Sequence, residues 1–300
     1  PFETEGAGPD GGNYFWTNSN LDDNANYQWI DILNIGTTYS FPDNDSAGEW
    51  IPMGFEFPFY GNAISNTTYN ELFINANGWI GFENDSDAWD NTAIPTNQVN
   101  GAAIFPLWDD LNPINDNCNE YCAGNVYYHS NEQRLVIWFD QVAHWYTNFP
   151  NTSYDFQLVL YPSGKIDINY RNIVGDYDAS VGMQKNSNIG TQIMYQTDNL
   201  EDNLNITFEK APEWLTVSPN QGMIVQGQSE NIELTIDTNN LIDNTYSAYV
   251  SIQSDGGSAT LPVTLVVNGS LLGDANGDSI LNVLDVIAIV NMVLGSSDPD

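Results

Sequence analysis

Residues 154–170 read Tyr-Asp-Phe-Gln-Leu-Val-Leu-Tyr-Pro-Ser-Gly-Lys-Ile-Asp-Ile-Asn-Tyr, and this stretch decides the fold class. Apolar and polar side chains alternate on both sides of Pro-Ser-Gly, which is the period of a strand with one face on a core. Tyr-Pro-Ser-Gly-Lys at 161–165 carries the turn chemistry that reverses the chain. The expectation is a hairpin with strands over 154–161 and 165–170.

Outward from the hairpin the same text repeats. Strands are expected over 27–33, 49–53, 55–60, 71–76, 79–82, 102–108, 126–130 and 134–139 on one side, and over 180–184, 192–196 and 204–208 on the other. The connections are Asn-Gly, Ser-Gly, Gly-Asp or Asn-rich, and no segment of this region carries a sustained helical stripe. These features predict an all-β chain whose residues 1–210 form a large antiparallel β-sandwich, jelly-roll or lectin-like in form. Aromatic residues at alternate strand positions are expected to fill its core, with exposed ones confined to loops, as at Trp89, Trp145 and Tyr146.

The character changes near Ala211-Pro212. Residues 211–268 contain three strongly alternating runs, at 229–237, 245–254 and 258–267, and have the size of a small Ig-like sandwich of about seven strands. Residues 269–300 hold the one credible helix, over 284–294. It is apolar on every face, so it requires a covering surface, in the same chain or in another. At 300 residues the chain suits two or three such domains.

Charge narrows the function. Forty Asp and Glu face five basic residues, Arg134, Lys165, Arg171, Lys185 and Lys210, for a formal net charge of −35. No Lys or Arg follows Lys210. Such a surface repels phosphate backbones and anionic lipid heads, which argues against nucleic acid and membrane surfaces as partners. Screening salt and bound divalent cations are both compatible with it. No apolar run approaches the ~20 residues of a membrane span. The chain starts at Pro1 without Met, which reads as a processed, secreted product. Cys118 and Cys122, in a Pro/Asn/Gly-rich loop, are close enough for a local disulfide in an oxidising, extracellular compartment.

Residues 274–285 read Asp-Ala-Asn-Gly-Asp-Ser-Ile-Leu-Asn-Val-Leu-Asp. Oxygen ligands recur at alternating positions: Asp274, Asn276, Asp278, the carbonyl of Ile280, Asn282 and Asp285. A hard cation wants six to eight oxygens, and a twelve-residue loop wraps one in this way, which predicts Ca2+. A second candidate site is Asp109 and Asp110 with Asn112, where Asx turns of a tight loop are an equal reading. Sequons at Asn66, Asn151 and Asn205 are candidate glycosylation sites.

Preceded by Gly273 and followed by Val-Leu-Gly at 293–295, the calcium loop resembles one repeat of a type I dockerin. Ser279 stands at the turn position usually held by Gly, and one repeat is present where dockerins carry two. The resemblance implies a protein-docking tail. Trp214-Leu-Thr-Val-Ser-Pro-Asn-Gln-Gly with Gly227-Gln-Ser resembles BACON-type Ig-like modules. Gly54-Phe-Glu-Phe-Pro-Phe-Tyr-Gly, Asn77-Gly-Trp-Ile-Gly-Phe and Trp108-Asp-Asp-Leu-Asn-Pro are similar to nidogen-like β domains. Both families imply adhesive or structural roles.

No catalytic constellation emerges. His129 and His144 lie in aromatic strand text and read as core or edge residues, and no nucleophile elbow, zinc helix or phosphate loop is present. The expected function is a non-catalytic extracellular structural or adhesion protein, stabilised by calcium. Its C-terminal helix is expected to engage a protein partner or copies of the chain itself. Carbohydrate-binding modules, or the accessory region of a larger secreted hydrolase, are the alternatives.

Overall fold

The computed structural model describes residues 14–20, 25–60, 68–114, 123–145, 151–196, 200–219, 222–239, 241–254, 257–267, 273, 275–276, 280 and 282–294. The chain divides into two compact units, Pro1–Ala211 and Pro212–Asp300.

The first unit contains β1 (Tyr14–Asn18), β2 (Thr37–Tyr39), β3 (Ile51–Phe57), β4 (Tyr69–Asn75), β5 (Trp79–Gly81), β6 (Ala103–Trp108) and β7 (Leu111–Asn112). They are followed by β8 (Asn125–Asn131), β9 (Arg134–His144), β10 (Ser153–Leu160), β11 (Ile166–Val174), β12 (Ser180–Asn186), β13 (Ile189–Tyr195) and β14 (Leu204–Lys210). One sheet runs β1-β14-β11-β10-β9-β8-β2, with β7 joined to β9; the other runs β13-β12-β6-β5-β4-β3. All pairings within them are antiparallel.

The deciding hairpin is β10–β11, in register from Leu160↔Ile166 back to Phe156↔Tyr170. Its turn closes with Gly164 N–H donating to the Tyr161 carbonyl at 2.9 Å, and Gly164 sits at φ +89, where a side chain would be strained. Phe156, Leu158, Ile166 and Ile168 point from this hairpin into one large core cluster, which also takes Met53, Leu72, Ile74, Ile104, Val181 and Met183 from the other sheet. Shared burial by both sheets makes the unit a sandwich. Phe139 and Phe156 stack across β9 and β10 at 4.6 Å.

Both outer faces are covered as well. On the six-stranded sheet, Phe73, Trp79, Phe105 and Trp108 pack with Ala88, Ile94 and Val99 of the segment between β5 and β6. The indoles of Trp79 and Trp108 both donate to the Ala88 carbonyl, at 3.2 and 2.9 Å. On the eight-stranded sheet, Val136, Trp138 and Val159 pack with Ile32, Trp29 and Ile30. Arg171 is pinned there: its guanidinium lies 4.2 Å from the Trp29 ring and 5.0 Å from the Trp138 ring. It also meets the Asp155 carboxylate at 2.5 Å. The other Asp155 oxygen accepts from the Trp138 indole at 2.7 Å.

Several expected boundaries change. Residues 27–33 are not a strand, because their backbone groups bond to side chains of the sheet beneath instead of a ladder. Gln157 alone accepts from Ile30 N–H and donates to the Ile30 carbonyl. The runs at 49–53 and 55–60 are one strand, β3, broken in register where Gly54 adopts φ +80. Strands β1, β2 and β7 lie outside the expected set. The sequon residue Asn205 is buried and donates to Asn169 Oδ1 at 3.0 Å, which removes it as a glycosylation site.

The second unit has two hairpin-like pairs among its described residues. β15 (Leu215–Ser218) pairs with β16 (Glu233–Ile236), and β17 (Asn244–Ser254) pairs along its whole length with β18 (Gly257–Val267). Four strands are thus described where about seven were expected. Trp214, Leu215 and Val250 form its small core, with Tyr246, Val263 and Leu265 packed around them. Helix α1 spans Val283–Val293. Among the described residues no helix is long and apolar enough to cross a membrane.

Candidate functional site

Two candidate sites were legible in the sequence. In the C-terminal loop, Asn282 is the N-cap of α1: its Oδ1 accepts from Leu284 N–H at 2.7 Å, and Asp285 answers from the third helical position. Asp285 Oδ2 accepts from Asn282 N–H at 2.7 Å, while Oδ1 accepts from Ala275 N–H at 3.1 Å. One buried carboxylate therefore ties the start of the loop to the start of the helix. Its negative charge also lies at the positive end of the helix dipole. Asn282 Nδ2 donates to the Ile280 carbonyl at 3.2 Å. The structure thus brings Asn276, Ile280, Asn282 and Asp285 into one connected turn. Asp274 and Asp278 lie outside the described residues, as do Cys118 and Cys122.

The second candidate lies in the loop between β6 and β7. Asp109 is buried, and its Oδ1 lies 3.1 Å from His144 Nε2 while also accepting from Asp110 N–H at 2.9 Å. Its Oδ2 accepts from Asp178 N–H at 3.3 Å. Asn112 Oδ1 accepts from Ile114 N–H at 3.2 Å, an Asx turn. Two of the three candidate ligands are therefore engaged in fixing the loop. Asp110 differs: its Oδ1 is out of contact with water and has no hydrogen-bond partner.

Electrostatics follow from that placement. Burial pushes the Asp110 carboxyl up to about 6; the His144 charge pulls it down, and Asp45, Asp109 and Asp90 add to the rise. Asp178 is also raised, first by burial and then by the Asp109 charge. His144 anchors the cluster from the end of β9, its backbone N–H donating to Thr152 Oγ1 at 2.8 Å. Sequence reasoning read His144 as a core or edge residue and joined neither it nor Asp178 to Asp109, because nothing in linear spacing shows that β9 and the segment before β12 meet the Asp109 loop. The group can hold protons or attract a cation. Among the described residues, however, no three His, Cys, Asp or Glu side chains are grouped to hold a metal. His129 lies on β8, half-buried. Trp89 and Trp145 are loop residues, 49% and 42% exposed.

A two-sheet antiparallel sandwich, sealed on both outer faces and stabilised by buried polar clusters, defines the class as an all-β domain. The chain belongs to the NIDO-related family, whose model matches residues 22–226, a stretch that takes in β2 through β15. The family points to a β domain of extracellular type. The comparisons with curated proteins and with solved structures gave no match.

Proposed function

We propose that the chain is a secreted, non-catalytic structural or adhesion protein, stabilised by calcium, whose C-terminal segment docks to a partner or to a second copy of itself. The observation that carries this reading is α1. Val283, Leu284, Val286, Ile287, Ile289, Val290, Met292 and Val293 are each 40% exposed or more, a concentration of apolar surface that isolated soluble helices do not keep in water. A partner surface covers such a helix at a gain of roughly 25 cal/mol per Å2 of apolar area.

Calcium enters through the loop before α1. The ligand set Asp274, Asn276, Asp278, Ile280, Asn282 and Asp285 offers only oxygens, the chemistry of a hard cation. Asp285 supports the reading, because its carboxylate turns back on the loop's opening residues. Bound calcium would neutralise acidic charge at the helix start and rigidify the segment that presents the apolar face.

Light scattering and negative-stain microscopy, first in calcium and then in excess chelator, test the reading. Large or filamentous particles that come apart on chelation support it. A monomer under both conditions removes self-assembly, and a monomer that also fails to retain any partner removes docking.

A further inference from the structure

The chain carries forty acidic side chains, yet one depression among the described residues is lined without a carboxylate. Between the covering segment that follows β5 and the β12–β13 hairpin lies an open, shallow depression of about 620 Å3. Of its nine lining residues none is acidic or basic; Thr92, Asn97, Gln98, Ser187, Asn188 and Tyr195 supply hydroxyls, amides and one phenol ring. The side-chain amides of Asn97, Gln98 and Asn188 make no hydrogen bond among the described residues.

Both walls are held from below. Gln184 Oε1 accepts from Thr96 N–H at 2.8 Å, and its Nε2 donates to the Thr96 carbonyl at 3.2 Å. Gln192 Oε1 accepts from Ile94 N–H at 2.8 Å. Gln98 N–H donates to Thr96 Oγ1 at 3.1 Å. Across the depression, Asn186 Oδ1 accepts from the N–H groups of Asn188 and Ile189, at 2.9 and 3.1 Å. The free amides are thus carried on backbone that is already ordered, which lowers the entropy cost of binding.

We infer that this depression is a binding site for a neutral oligosaccharide. A primary amide offers a donor and an acceptor side by side, which is what the vicinal hydroxyls of a sugar require. The Tyr195 and Pro95 rings, both in the lining, offer apolar surface for the C–H face of a pyranose. Other ligand classes find little here: a cation meets no carboxylate, an anion meets no Lys or Arg and the field of a −35 chain, and a purely apolar ligand would strand the amides. The inference deepens the adhesive reading by giving adhesion a ligand class. It involves no C-terminal residue, so glycan binding and calcium-dependent assembly fail independently.

The test is an array of neutral and anionic glycans probed with the full chain, followed by saturation-transfer NMR with the best neutral glycan. Neutral glycans are expected to bind and sialylated or sulfated ones not. Q98A/N188A, in which both residues are exposed, should weaken binding about tenfold or more, as for the loss of one or two hydrogen bonds. Asn188→Asp alone should weaken it in the same direction, and Trp145→Ala should leave it unchanged. Thermal midpoints of the variants report that folding is intact. Absence of any neutral hit at millimolar concentration overturns the site. Preference for anionic glycans does the same, as does binding that survives Q98A/N188A but is lost in Trp145→Ala.

Discussion

Gln157 and Gln184 occupy equivalent positions on opposite sheets: each is fully buried on an outer face, and each amide grips the backbone of the segment that covers it. Gln157 holds Ile30 through both its oxygen and its nitrogen, at 3.2 and 2.6 Å. Gln184 accepts from Thr96 N–H and donates toward the carbonyls of Thr96, Val99 and Gly101. Covering segments without strand pairing would otherwise leave these groups unsatisfied and buried, at about 1–3 kcal/mol each.

Gln184→Leu keeps the volume and removes the grip. It should destabilise the protein by about 3 kcal/mol or more, since one N–H and several carbonyls lose their partner at once. A urea transition shows this as a lower midpoint. An unchanged midpoint would mean that the covering segment is held by its apolar contacts alone.

These two glutamines also mark the limit of what the sequence reveals. The hairpin at 154–170 was legible because Leu158, Leu160, Ile166 and Ile168 alternate with polar neighbours. The same alternation made Gln157, Asn169 and Asp155 look like solvent-facing residues, and all three are buried. Period-two patterning says which side chains share a face; it does not say whether another segment lies over that face. The candidate calcium loop could be read as a pattern for the opposite reason, since its oxygen-bearing residues are local in sequence. The Asp109–His144 cluster depends on contacts between distant strands and left no linear trace.

Asp110 should make stability fall with pH. Its carboxyl stands near 6 in the folded protein against 3.8 ordinarily. Between those values the folded chain keeps a proton that the unfolded chain has released, so stability drops as pH rises through the window and stays lower above it. Solvent screening at this partly covered position keeps the effect to about 1 kcal/mol. Asp110→Asn should be more stable than the parent at pH 7.5 and equal to it near pH 4, as read from urea midpoints at both values.

Arg171 and Asp155 form the most enclosed ion pair with a permanent cation among the described residues. Burial raises the Asp155 carboxyl even though Trp138 and Arg171 hold it down. Arg171→Met leaves that carboxylate buried and unpaired, and should cost about 2–3 kcal/mol, a part of the usual penalty because a third of the arginine side chain stays in water. Adding Asp155→Asn should recover part of the loss. A double-mutant cycle by urea denaturation measures the coupling, and strict additivity of the two variants would contradict it.

Asp285→Ala should act on two properties together. Loss of the capping interaction costs the helix about 1 kcal/mol, and loss of the proposed ring-closing ligand should abolish the heat of calcium binding that isothermal titration is expected to record. Retained calcium binding in Asp285→Ala would move the cation elsewhere.

Lys210 closes β14, and the boundary between the two units follows at Ala211. Because no basic residue lies beyond it, trypsin has no site in 211–300. One cut after Lys210 would leave residues 211–300 uncut in a single fragment. Its mass would report any modification on that unit in one reading, and its migration would report which half of the molecule a partner retains.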